Sequence, residues 1–322
     1  MTFPEYDHCE LCPRRCGADR NAGQRGFCGE GAALRVAAIE PHFGEEPPLT
    51  GATGSGTIFF SGCSCGCFFC QNYQLSREHL GDEISVEEAV ARILAMAERG
   101  VRNLNLVTPD HCWPAIREVI RQVRAAGCTL PWIWNSSGYC RTEMLREQME
   151  HVDIFMPDFK FADPELARRC MGREDYPQVA REAMRVLVDA KGFLRPFDAT
   201  GEMPASCGVL VRHLVLPGQV ENSLRVLDIL FEDFGSRLPL SVMRQYRPMP
   251  ECHSRGFLDR MVTSDEYAQV LAHVEELGFT RVFIQPESGD ENFVPDFRHS
   301  KEPFKGNALR KAPRQPNEEQ TK

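Results

Sequence analysis

From residue 57 onward, short apolar runs alternate with amphipathic helical patterns. This predicts an α/β protein, a partial (β/α)6-type open TIM barrel with a small Cys-rich N-terminal extension. Two further observations support that class. The helical patterns carry their own start and stop residues, and the roughly six or seven strand–helix units fall short of the eight that close a full barrel.

Strands are expected at 57–61, 103–107, 131–135, 153–157, 209–216, 240–246 and 281–285. After the first of them, Ser85-Val86-Glu87-Glu88 has the spacing of a capping box. Val86, Ala89, Val90, Ile93, Leu94 and Ala97 then recur on one helical face, and Gly100 ends the helix. A second box, Thr263 to Glu266, opens a helix carrying Tyr267, Val270, Leu271 and Val274, and Gly278 closes it before the last strand. In such a fold function belongs at the carboxyl ends of the parallel strands.

Two segments stand outside the barrel, which spans 57–297. Residues 1–56 are rich in Cys, Gly, Pro and Arg with little periodicity, so something other than a large core must organise them. Residues 298–322 hold seven basic and three acidic side chains and almost no large apolar ones, the composition of a disordered basic tail.

Composition excludes whole classes. The 322 residues carry 37 basic and 46 acidic side chains, a net charge of −9, which argues against a nucleic-acid partner. No run approaches the roughly 18 apolar residues needed to cross a bilayer, and no apolar signal-peptide core opens the chain, so a cytoplasmic protein without a membrane partner is expected. Fourteen cysteines are too few for a disulfide scaffold, yet eight of them fall in the first seventy residues. In a reducing compartment that clustering points to metal ligation or catalysis.

The densest stretch is Gly62-Cys63-Ser64-Cys65-Gly66-Cys67-Phe68-Phe69-Cys70-Gln71-Asn72, directly after the first barrel strand. Cys63, Cys67 and Cys70 read C-x3-C-x2-C. Three thiolates on one loop can ligate three irons of a cubane and leave the fourth open for chemistry. Zinc is the alternative, but its natural fourth ligand, Cys65, is cramped between Cys63 and Cys67.

With Phe69 just before the last cysteine, the loop resembles the cluster motif of the radical SAM superfamily. The flanks Ser61-Gly62-Cys63 and Cys70-Gln71-Asn72 resemble the branch of the pyruvate formate-lyase activating enzymes. The resemblance implies a [4Fe–4S] cluster and S-adenosylmethionine as cofactors. Reductive cleavage of the sulfonium would give a deoxyadenosyl radical that abstracts hydrogen. It also implies a flavodoxin- or ferredoxin-type electron donor and a glycyl-radical protein as partner.

Further cofactor-binding candidates sit at the strand ends. Thr108 and Asp110 stand where the family usually has Gly-Gly-Glu for the methionine amine; a polar turn capping the next helix is the alternative. Asp158 and Lys160 resemble the family's Asp-x-Lys signature, and two residues apart on a strand end they point to the same side, toward a zwitterionic ligand or toward each other as an internal ion pair. Asn135 and Ser136 stand where the family helps hold a monovalent cation, with Asn in place of Asp. Arg212 resembles the strand-borne Arg that meets the methionine carboxylate, a bidentate fit. Gln245 replaces a histidine and can still bond a ribose hydroxyl. His213, next to Arg212, should face the core.

Cys9, Cys12, Cys16 and Cys28 look like a second metal site, suited to zinc or to a second iron–sulfur cluster, which would compensate for a poor core. The leading functional expectation is therefore activation of a glycyl-radical enzyme. The alternative is radical chemistry on a small molecule or peptide, and a zinc-binding interaction module is a distant third.

Overall fold

The computed structural model describes residues 2–285, 294–299 and 303–304. The strands form where apolar runs were expected: β2 Ser55–Phe60, β4 Leu104–Val107, β5 Trp132–Ser136, β6 Ile154–Pro157, β7 Gly208–Val209, β8 Val211–Leu214, β9 Leu240–Met243 and β10 Val282–Ile284. They pair in parallel in chain order from β2 to β7 and again from β8 to β10. The expected strand at 209–216 breaks at Leu210, whose N–H turns to the Phe155 carbonyl at 3.0 Å. Phe159 N–H donates to the Arg212 carbonyl at 2.8 Å, so β8 continues along β6 and the wall curves as an incomplete barrel.

One strand lay hidden in the N-terminal extension. β1, Leu34–His42, pairs antiparallel with β2, and β3, Asp82–Ile84, pairs antiparallel with β1. Most of β1 is buried on both faces, so it lacks the alternation that marks a half-exposed strand. Its position also covers the edge that β2 would otherwise present.

Helix ends follow the capping chemistry. The Ser85 hydroxyl accepts from Glu88 N–H before the helix Val86–Ala97, and Thr263 and Glu266 form a reciprocal box before the helix Ser264–Glu276. All three tryptophans are buried, with Trp113 and Trp134 packed edge to face at 5.5 Å between centroids. Phe304, inside the segment expected to be a tail, is buried against His42 and Phe59, and Phe297 joins them. Residues 300–302 and 305–322 of that segment lie outside the described residues. No helix among the described residues is long and apolar enough to cross a membrane.

Candidate functional site

A cavity of about 230 Å³ opens at the carboxyl ends of the parallel strands. Cys63, Cys65, Cys67, Cys70 and Phe69 line it on the loop after β2, as do Thr108 after β4, Asn135 and Ser136 on β5, Asp158 and Lys160 after β6, Arg212 on β8 and Gln245 after β9. These residues come from across the barrel, and the parallel order brings their strand ends together.

The loop is shaped by close approach. Gly62 has φ +80°, and a Cβ there would lie 2.5 Å from Glu30 Cγ and 2.7 Å from the Cys28 carbonyl, so only glycine lets the N-terminal extension pack against the loop. Next to it, His111 Nε2 lies 2.7 Å from the Ser61 carbonyl; burial, aided by Arg20, holds this histidine neutral with its pKa lowered to about 3. Cys65 N–H donates to Cys63 Sγ at 3.3 Å. The Cys63 thiol is pushed up first by the Cys65 side chain and then by burial; burial pushes Cys70 up as well.

Across the cavity, Lys160 Nζ donates to Asp158 Oδ2. Burial alone would discharge the lysine, but the Asp158 carboxylate, which also accepts its hydrogen bond, holds it protonated. The pair is thus an internal ion pair that also faces the cavity. Gly138, with φ +74°, lets the loop after β5 touch the Asp158 carbonyl, 2.2 Å from where its Cβ would stand. Thr108 also has a positive φ, +55°, a strained setting for a β-branched residue that turns the chain at the cavity wall.

Arg212 differs from expectation in its partner. Its Nε donates to Glu46 Oε1 at 2.9 Å, and its Nη2 donates to both Glu45 and Glu46. Asn105 on β4 donates to Glu45 at 2.9 Å. Burial would raise the Glu45 carboxyl, yet Arg212 outweighs it and holds the group below the usual carboxylate range. Sequence reasoning missed both glutamates, which also line the cavity.

Asp110 is the one cofactor candidate that the structure does not bring to the cavity. A short 3-10 turn, Asp110–Cys112, carries it beneath β5, where it accepts from Trp134 Nε1 at 3.4 Å and from the Cys140 thiol at 3.0 Å, and burial raises its carboxyl. Gln245 does line the cavity; its backbone carbonyl accepts from Gln71 and its side-chain oxygen from Gln285, both at 2.7 Å. His213 faces the core, between the Phe159 carbonyl at 2.7 Å and Ser223 Oγ at 2.9 Å, and burial lowers it to about 4.

Tyr176 was also missed. Its hydroxyl donates to the Ser137 carbonyl at 2.8 Å and accepts from Lys160 N–H at 2.9 Å, tying the loops after β5 and β6. Tyr176→Phe leaves both backbone groups buried without a partner. It is expected to cost about 1–3 kcal/mol, seen as a lower urea midpoint at unchanged slope.

In the N-terminal extension, Cys9, Cys12 and Cys28 are buried within electrostatic reach of one another, while Cys16 faces solvent beside Gly26. Burial pushes the Cys12 thiol up to about 12 and the Cys28 thiol to about 11. Among the described residues no group of three or more His, Cys, Asp or Glu side chains stands at the spacing of a single metal ion. Arginines also hold the segment: Arg20, over the Tyr6 ring at 4.0 Å, donates to the Gly31 and His111 carbonyls.

An incomplete parallel barrel whose first strand feeds a four-cysteine loop into a cavity shared with ionic groups is a fold built to hold an inorganic centre beside a polar ligand. Residues 57–227, over half of the chain, match the Radical SAM superfamily, and the chain belongs to that superfamily. Its cofactors are a [4Fe–4S] cluster and S-adenosylmethionine.

The chain is 24% identical over 285 residues to an uncharacterized protein of Methanocaldococcus jannaschii, MJ0674, covering 86% of this chain and 77% of that one. Among solved structures it is similar to HydG, a maturase of the [FeFe]-hydrogenase (17% identity, TM-score 0.48, 73% of this chain and 51% of that one). It is also similar to methylornithine synthase, PylB (16%, TM-score 0.46, 69% and 60%). A domain of a pyruvate-formate lyase-activating enzyme from Bacteroides vulgatus is 10% identical, with TM-score 0.37, over 52% of this chain and 88% of that one.

The donor set fits those cofactors. The cavity is lined both by thiols, the ligands a cluster takes, and by a carboxylate, an ammonium and a guanidinium, which suit an amino-acid zwitterion.

Proposed function

We propose that Cys63, Cys67 and Cys70 hold the cluster and that Asp158, Lys160 and Arg212 orient S-adenosylmethionine beside it, for removal of a hydrogen atom from a substrate. The observation that carries this reading is the convergence of the cysteine loop with those three charged side chains on one cavity. When bound, the cofactors supply one electron and a sulfonium bond whose reductive cleavage gives methionine and a deoxyadenosyl radical.

The chain's own residues bind and orient. Lys160 and Asp158 offer an ammonium and a carboxylate to the opposite charges of the methionine end. The Arg212 fork already grips a carboxylate, that of Glu46; the cofactor's carboxylate has the same shape, so Glu46 keeps the fork aimed until exchange. Thr108, Asn135, Ser136 and Gln245 add hydroxyl and amide groups along the wall, and Phe69 contributes an apolar face next to Cys70. Phe304, seated on His42 and Phe59, helps exclude water.

For the substrate we carry forward activation of a glycyl-radical protein, supported by Ser61-Gly62-Cys63 and Cys70-Gln71-Asn72. A small molecule or peptide is the second reading; the two glutamates facing the cavity favour it, because they suit a compact cationic group. Anaerobic incubation of the iron-loaded protein with S-adenosylmethionine and a reductant is expected to give deoxyadenosine and methionine in equal amounts. A protein with zinc and no turnover would instead fit an interaction module. Addition of partners then separates the two readings, by a protein-borne radical or by a modified metabolite.

A further inference from the structure

The N-terminal extension grips the cysteine loop, and the grip falls on one peptide group in particular. Half-buried Arg14 donates through Nε to the Ser64 carbonyl at 2.8 Å and through Nη2 to the Cys65 carbonyl at 2.9 Å. The N–H of the Ser64–Cys65 peptide donates to Cys63 Sγ at 3.3 Å. One end of that peptide therefore meets a guanidinium, and the other meets the sulfur of an expected cluster ligand.

Arg14 is firmly placed. Its Nη2 also donates to the Met171 carbonyl at 2.8 Å, at the C-terminal end of the helix Pro164–Met171, where the helix dipole favours a cation. Phe68 N–H donates to the Cys170 carbonyl at 3.2 Å, so the loop hangs from the same helix end. The Arg14 guanidinium stacks 3.6 Å from the centre of Phe27, and that ring rests on Gly66, where a Cβ would meet it at 3.0 Å. Among the described residues the hydrogen bonds of Arg14 go to backbone carbonyls alone, and no carboxylate pairs with it. Its positive charge is thus left to act on the loop.

Resting on the reading that Cys63 is a cluster ligand, we infer that Arg14 is a positioning residue that raises the reduction potential of the cluster, by polarising the Ser64–Cys65 peptide against Cys63. A charge-assisted bond on the carbonyl strengthens the donor at the other end of the amide, because hydrogen bonds in a chain polarise one another. An N–H aimed at a ligand sulfur draws charge from it, and a nearby cation adds to the effect. Both stabilise the reduced cluster, which is more negative by one charge. The step affected is the gain of one electron by the cluster from an external one-electron reductant, with no bond broken and no proton moved.

The midpoint potential of the iron-loaded protein, read by electron paramagnetic resonance at a series of fixed potentials, tests this in the unsubstituted chain, Arg14→Gln and Arg14→Lys. Loss of the charge in Arg14→Gln is expected to lower the ratio of reduced to oxidised cluster at a given potential about tenfold, a shift of about 59 mV for one electron, at unchanged iron content. Arg14→Lys keeps the charge and a donor for the Ser64 carbonyl, and is expected to recover at least half of that shift. An unchanged potential in Arg14→Gln overturns the inference. Iron lost from Arg14→Gln, or an equal shift in both variants, overturns it as well, since Arg14 would then only prop the loop. An unsubstituted protein that takes up no iron overturns the reading of Cys63 as a ligand, and the role of Arg14 with it.

Discussion

Cys63→Ala, Cys67→Ala and Cys70→Ala, made one at a time, are expected to lose the loop's iron and reduce cleavage of S-adenosylmethionine to background, while Cys65→Ala keeps both. The reason is ligand count. A cubane bound by three thiolates has no spare ligand, and a methyl group in place of sulfur leaves a second iron open to water. Cys65 sits between Cys63 and Cys67, with its N–H 3.3 Å from Cys63 Sγ, a bond its backbone keeps in the alanine variant. Losing the Cys65 thiol removes a small buried side chain and no ligand. Iron content and absorbance of oxygen-free preparations check the result. Loss of iron in Cys65→Ala with retention in Cys63→Ala would assign the ligands differently.

Arg212→Met is expected to be the most destabilising change at the site, by about 3–5 kcal/mol, because it leaves Glu45 and Glu46 buried without their cation. The sign with pH follows from Glu45. Its folded pKa lies below its unfolded value because Arg212 outweighs burial, so the pair's contribution is fully present above the unfolded carboxylate range and fades as pH falls through the folded value. The gap in unfolding free energy between the two proteins should therefore be largest near neutrality and narrow below about pH 4. Adding Glu45→Gln and Glu46→Gln to Arg212→Met should restore most of the stability. It should not restore cofactor affinity, which falls about tenfold to a hundredfold with the loss of charged hydrogen bonds. A triple variant that binds S-adenosylmethionine normally would remove Arg212 from the site.

What the sequence made legible was what local spacing encodes. The barrel strands follow from apolar runs between helices with identifiable caps, and the cysteine loop with Thr108, Asn135, Ser136, Asp158, Lys160, Arg212 and Gln245 followed from strand ends in a parallel fold; all of these line the cavity. β1 was hidden because burial on both faces removes the alternation that identifies a strand. Asp110 was misplaced because one 3-10 turn decides whether a side chain faces the cavity or the tryptophans beneath it. Glu45, Glu46 and Tyr176 were invisible for a different reason. Glu46 and Arg212 are 166 residues apart, and an acidic pair before Pro47-Pro48 carries no mark of the cation it will meet. The arginine anchors of the N-terminal extension bond to backbone carbonyls, which every residue has, so no spacing could announce them.

The measurement that bears most directly on the site is iron-57 Mössbauer spectroscopy of the anaerobically loaded protein, with and without S-adenosylmethionine. The expected spectrum contains a [4Fe–4S] centre in which one iron alone changes its environment when the cofactor is added. Irons that all ignore the cofactor, or a loop that takes up zinc in place of iron, would contradict a cluster held by Cys63, Cys67 and Cys70 with an open corner facing Asp158, Lys160 and Arg212.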